Sequence, residues 1–242
     1  MDHAYLEELC KGHWLSHIPK VIDTDGFDSK EDWLLFLLKN ELRSREEAKT
    51  IRLYKQSKLP CRRPLSTYEW HNQISLPSPT TKEELTSLSF IKQCQNAVFV
   101  GTPGTGKTHL ACALGTLATE NGIDTRFWRV SDLVSELERQ WKNNTLDAFK
   151  KRFDKVKLII LDEMGYVPFT KEGAELLFQL ISDWYETKSV IITSNLEFSQ
   201  WNKVFIDARL TAALVDRLIH HAHILSFTGE SFRLKNALSK HK

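Results

Sequence analysis

At 242 residues the chain exceeds one ordinary domain of about 150, so one full core with a smaller appended region is expected. Its apolar fraction of 41% and charged fraction of 26% are those of a globular protein, and no apolar run approaches the ~18 residues that a membrane span requires. Four cysteines with no CxxC spacing, and an N-terminus with acids ahead of any apolar stretch, argue against a disulfide framework and a secretory leader, so a cytoplasmic location is expected.

The net charge of +2 hides an uneven distribution. Residues 1–40 carry eight acids and four bases, whereas residues 43–63 carry eight bases against Glu46 and Glu47, an asymmetry that points to a polyanionic partner. Asp28-Ser29 followed by Asp32 signals a helix start, residues 33–38 supply its apolar body, and Pro60 stops it. Arg45, Lys49 and Arg52 are four and three residues apart and share one face of that helix, with Lys55 at its edge. Such a stripe either contacts DNA phosphates or forms a solvated face. Residues 60–82 contain four prolines and many hydroxyls and read as a linker. The expected division is a helical region at 1–62, a linker at 63–85 and a core at 86–242 whose tail is basic (Arg233, Lys235, Lys240 and Lys242).

Beyond the linker the pattern becomes strand–helix alternation. Apolar runs at 96–100, 125–130, 157–161, 190–193 and 223–227 read as five buried parallel strands. Helical patterns at 107–121, 131–142, 171–187 (capped by Thr170) and 209–221 fall between them, which predicts an α/β fold with helices on both faces of a parallel sheet. Trp128, Trp141, Trp184 and Trp201 have apolar neighbours and are expected in the core. His220-His221-Ala222-His223 has no cysteine or carboxylate at ligand spacing, so these read as helix-end histidines rather than metal ligands.

GTPGTGKT at 101–108 fits G-x-x-x-x-G-K-[ST] between a strand and a helix, the context a phosphate-binding loop needs. Gly101, Thr102, Pro103, Gly104, Thr105, Gly106, Lys107 and Thr108 are the expected nucleotide ligands. Their amides would surround the phosphates at the positive end of the next helix, Lys107 would reach the β- and γ-phosphates, and the Thr108 hydroxyl would ligate Mg²⁺. LIILDE at 158–163 ends a strand in two acids, which suits Asp162 to the metal and Glu163 to the attacking water. DEMG at 162–165 also satisfies the D-x-x-G of GTPases, but Asn202-Lys203-Val204-Phe205 lacks the acid of their guanine reader. VIITSN at 190–195 brings Asn195 to the carboxyl edge of the sheet, where it could orient water or sense the γ-phosphate.

With FVGTPGTGKTHLACALG, LIILDEMGYVPFTKEGAELLFQLI, VIITSNLEFSQWNKVF, LTAALVDRLIHHAHIL and GESFR in place, the chain from about residue 90 to 235 resembles the IstB-type transposition helper ATPases, relatives of the DnaC helicase loaders in the AAA+ class. The resemblance implies a three-layer AAA+ core with a five-stranded parallel sheet behind a small helical N-terminal region. It implies ATP and Mg²⁺ as cofactors, and oligomerisation on double-stranded DNA that is then delivered to a transposase, with hydrolysis resetting the complex. It makes Asn195 the sensor asparagine, Arg217 the arginine finger given to a neighbouring subunit, and Arg233 a second phosphate-sensing arginine. It also favours the DNA reading of the stripe at Arg45, Lys49, Arg52 and Lys55. GESFR has Phe232 where the family more often has tyrosine, and nine residues follow Arg233, so no C-terminal lid domain is expected. A helicase loader and a small-molecule P-loop kinase stay open as alternatives.

Overall fold

The computed structural model describes residues 3–70, 74–76, 80–166, 168–205 and 207–239; the tail lysines Lys240 and Lys242 lie outside them. In chain order the elements are α1 (His3–Gly12), α2 (Lys30–Ser57), β1 (Ile74–Ser75), α3 (Lys82–Thr86), α4 (Ser89–Lys92), β2 (Asn96–Gly101), α5 (Lys107–Glu120), β3 (Thr125–Arg129), α6 (Val130–Lys142), α7 (Leu146–Lys150), β4 (Leu158–Met164), α8 (Lys171–Trp184), β5 (Ser189–Ser194), α9 (Asn202–Phe205), α10 (Ala208–Ile219), β6 (Ala222–Phe227) and α11 (Phe232–Ser239). They fall into two compact units that divide between Leu53 and Tyr54. No helix among the described residues is long and apolar enough to cross a membrane.

Strand period two sorts the larger unit into layers, because successive side chains point to opposite faces. Val98, Val100, Ile159, Leu161, Val190 and Ile192 pack with residues of α6, α8 and α10 in one core. Ala97, Phe99, Leu158, Ile160 and Ile191 pack with α5 in the other. Three layers result. Among the described residues the sheet has six strands in the order β1-β6-β2-β5-β4-β3. Five are parallel, as expected, but β1 pairs antiparallel with β6 through Ile74–Phe227 and Ser75–Ser226, so the sheet is mixed rather than five-stranded and parallel. Two residues inside a proline-rich stretch carry no period, which is why β1 has no trace in the pattern. The same stretch holds α3, whose Thr81 and Glu84 form a reciprocal capping box.

Thr170 caps α8 by accepting from the Gly173 N–H at 2.9 Å, and Asp207 caps α10 by accepting from Arg209 and Leu210. Trp184 and Trp201 are buried and Trp128 packs against the core, whereas Trp141 is 52% exposed. In the last turn of α6 the inward position is taken by Gln140.

In the unit of residues 1–53, Cys10, Ile18 and Leu37 form a small core with Leu6, Trp33 and Phe36 against it. Asp32 N–H donates to Ser29 Oγ at the start of α2, as the sequence signal requires. Glu41 is buried and accepts from the His17 and Ile18 amides at 2.7 and 3.1 Å and from Arg45 Nε at 2.7 Å. Burial pushes this carboxyl up, but the Arg45 and His17 hydrogen bonds and nearby positive charge outweigh it and hold Glu41 below its ordinary range. Arg45 thus has a buried partner, whereas Lys49, Arg52 and Lys55 are exposed on α2.

Candidate nucleotide site

The loop between β2 and α5 follows from two glycines. Gly101 has φ +148°, and a Cβ there would sit 1.9 Å from the Phe227 carbonyl oxygen, which is backbone and cannot give way. Gly106 opens α5 at φ +97°, a conformation that L side chains rarely adopt. Two bonds tie the loop to the segment after β6: Phe232 N–H donates to the Gly104 carbonyl at 3.0 Å and Thr102 Oγ1 donates to the Gly229 carbonyl at 3.2 Å. That segment carries Arg233 to the loop's mouth.

Residues 103–108 line a cleft of about 350 Å³ together with Tyr68, His109, Glu163, Thr193, Asn195 and Arg233. Gly101 and Thr102 turn their carbonyls to Lys107, whose Nζ donates to both at 2.7 Å. Lys107 is buried, and burial pulls its ammonium down to about 8, with Asp162 opposing the fall and Arg233 adding to it. Thr108 Oγ1 donates to Asp162 Oδ1 at 2.8 Å, and Thr193 Oγ1 donates to the same oxygen at 2.5 Å. A buried carboxylate beside a threonine hydroxyl is an all-oxygen donor pair, which fits Mg²⁺.

Glu163 reaches the cleft through a bulge. Leu161 pairs with Ile192 and Met164 with Ser194, so β4 spends one more residue than β5 over this step. Glu163 itself takes φ +63°, unusual for a non-glycine residue, and its N–H donates to Thr193 Oγ1 at 3.0 Å. Thr193 therefore holds both members of the Asp-Glu pair, turning one inward to Thr108 and leaving the other exposed in the cleft. Thr193 carries no motif signal of its own, although it lies two residues before Asn195 in the same run.

Tyr68 and His109 are likewise unmarked by any sequence motif. They line the cleft edge to face at 5.2 Å, and Tyr68 Oη and His109 Nε2 are buried with no hydrogen-bond partner among the described residues. Burial pushes the Tyr68 phenol up, and burial with Arg63 nearby pushes His109 down, so Tyr68 is a neutral donor and His109 a neutral imidazole. Unsatisfied buried groups of this kind call for a polar ligand. Nothing in a proline-rich stretch marks Tyr68 in advance.

Arg217 does not line the cleft. It sits on α10 with its guanidinium carbon 4.7 Å from the Phe178 ring centroid on α8, and its Nη1 is buried with no partner among the described residues. Lys49, Arg52 and Lys55 are likewise not among the cleft's lining residues.

Residues 22–240 match the family described as IstB-like ATP binding protein. The chain is 35% identical to an ATP-binding protein of insertion sequence IS232 from Bacillus thuringiensis subsp. berliner, over 97% of this chain and 94% of that one. It is 38% identical to an ATP-binding protein of insertion sequence IS5376 from Geobacillus stearothermophilus, over 86% and 82%. Among solved structures, the DnaC helicase loader superposes with a TM-score of 0.54 at 24% identity, covering 73% of this chain and 99% of that one. DnaA of Aquifex aeolicus bound to AMPPCP gives 0.58 at 19%, covering 76% and 56%. These two likenesses show a shared fold. With nine-tenths of its length inside the family match and whole-length relatives at such identity, this chain belongs to the IstB-like ATP-binding protein family.

Proposed function

We propose that this chain is an ATPase that oligomerises on double-stranded DNA and delivers it to a partner transposase, with hydrolysis resetting the complex. The observation that carries the catalytic part is the split of the carboxylates: Asp162 is buried against Thr108 and Thr193, while Glu163 is thrown into the cleft by a strained bulge. Thr108 and Asp162 would hold Mg²⁺, which supplies charge neutralisation on the phosphates when bound. Lys107 would exchange its two carbonyl partners for phosphate oxygens, and the loop amides at the start of α5 would hold the rest. Glu163 would orient the attacking water, and Asn195 and Arg233, which line the same cleft, would sense the γ-phosphate. Tyr68 and His109 would offer polar atoms to the bound nucleotide. The insertion-sequence context of the full-length relatives supports transposition over helicase loading, since the likeness to the DnaC loader reaches only the fold.

The test is the pair Glu163→Gln and Asp162→Asn. Glu163→Gln is expected to bind Mg·ATP within a few-fold of wild type, lose turnover by at least about a hundredfold and persist on DNA. Asp162→Asn is expected to weaken Mg²⁺-dependent nucleotide binding itself. Equal phenotypes in binding and turnover would remove the basis for separate roles.

A further inference from the structure

Sequence spacing offers no carboxylate to the histidines at the end of α10, but the fold does. Glu186, in the turn between α8 and β5, lies beside His220 and His221, and one donor atom from each of the three residues falls within 4.8 Å of the other two. All three side chains are exposed. Tyr185 Oη lies 3.0 Å from His220 Nδ1, so this hydroxyl orients one of the three donor residues and leaves the other ring nitrogen of His220 for another partner. Glu186 is held at φ +57°, a left-handed conformation that a non-glycine residue adopts at a cost. His223 is not part of the group: its ring is bonded to Thr80 and Gln95.

We propose that Glu186, His220 and His221 form a binding site for a borderline divalent metal, Zn²⁺ in the first instance. Two imidazoles and a carboxylate are the donors such ions take, with water in the fourth position, whereas Mg²⁺ and Ca²⁺ prefer all-oxygen sets. Donors around a tetrahedral Zn²⁺ sit about 3.3 Å apart, so closing the site asks these exposed groups to converge by roughly 1.5 Å. The site is separate from the nucleotide cleft: the turns carrying it precede β5 and β6, and the phosphate-binding loop leaves the opposite end of the parallel strands. It would join the end of α8 to the end of α10, the helices that carry Phe178 and Arg217.

The full chain, prepared without a histidine tag, is titrated with Zn²⁺ against a chromophoric chelator in millimolar Mg²⁺. One Zn²⁺ per chain at micromolar affinity or better is expected, weakened about tenfold or more by His220→Ala, His221→Ala or Glu186→Gln, with ATP binding unchanged. On the wild-type protein, Zn²⁺ should protect His220 and His221, but not the exposed His13, from diethyl pyrocarbonate as mapped by mass spectrometry. Wild-type affinity in the variants, no Zn²⁺ bound by wild type at ~100 μM, or equal modification with and without Zn²⁺ would each overturn the proposal.

Discussion

Lys107 carries the proposed phosphate contact from a buried position that disfavours its charge. Burial is the larger influence and lowers the ammonium to about 8, so a growing fraction is neutral above that pH. Phosphate oxygens favour the charged form, so ATP binding should take up a proton in this range. The bound state then holds more protons than the free state, and affinity must fall as pH rises through about 8. The measurement is the affinity of a non-hydrolysable ATP analogue by calorimetry between about pH 7 and 9.5, in buffers of different ionisation enthalpy. Lys107→Arg keeps its charge throughout and should bind more weakly with a flatter profile; Lys107→Ala should lose at least about a hundredfold and remain folded. A wild-type affinity independent of pH would show that Lys107 is already charged in the absence of nucleotide. The other decisive single residue is Thr193, whose hydroxyl bonds both Asp162 and the Glu163 amide. Thr193→Val keeps the shape and removes both bonds, so turnover should fall by about tenfold or more with nucleotide affinity less affected. Equal turnover would mean the bulge stands without it.

At the scale of elements, α2 carries the proposed DNA contact, and its bases are not equivalent. Arg45 bonds the buried Glu41, whose folded-state acidity is raised by that contact, so the contribution is present above the ordinary glutamate range and is lost as pH falls through the lower folded value. Arg45→Glu would set two carboxylates together and should lower the melting temperature of the N-terminal unit. Lys49→Glu, Arg52→Glu and Lys55→Glu act on exposed charges and should leave melting nearly unchanged. Together they should weaken DNA binding and reduce the log–log salt slope by up to about three, roughly one per phosphate contact. An unchanged slope would move the DNA contact to another surface. These elements were largely legible in advance. The five parallel strands lie within three residues of their apolar runs at either end, because strands buried on both faces read as continuous hydrophobic stretches. The positions of residues 101–108, Asp162 and Asn195 were legible because each falls at the carboxyl end of such a strand. The rest depends on tertiary pairing that no local pattern encodes. β1 exists only by pairing with β6, the bulge at Glu163 only by register against β5, and Tyr68 enters the cleft only because its proline-rich segment folds back against α5.

Arg217 bears on how copies of the chain act together. Its guanidinium lies over Phe178 with one buried nitrogen unsatisfied and is not among the residues lining this chain's own cleft. A cation placed there contributes to hydrolysis if it reaches the nucleotide of a second copy, neutralising transition-state charge only in the assembled state. Arg217→Ala should then bind ATP as wild type and hydrolyse it poorly, but a residue acting within its own chain would behave alike. Mixing separates the two. Arg217→Ala keeps an intact Glu163 and Glu163→Gln keeps an intact Arg217, and each should be nearly inactive. In a random equal mixture about a quarter of interfaces join an intact arginine from one chain to an intact carboxylate from another, so activity should return. It should also rise with added DNA and vanish on dilution below the assembly concentration. If the mixture is no more active than its components while co-assembly is confirmed by mass, Arg217 does not act across the interface, and its place over Phe178 is one of packing between α8 and α10.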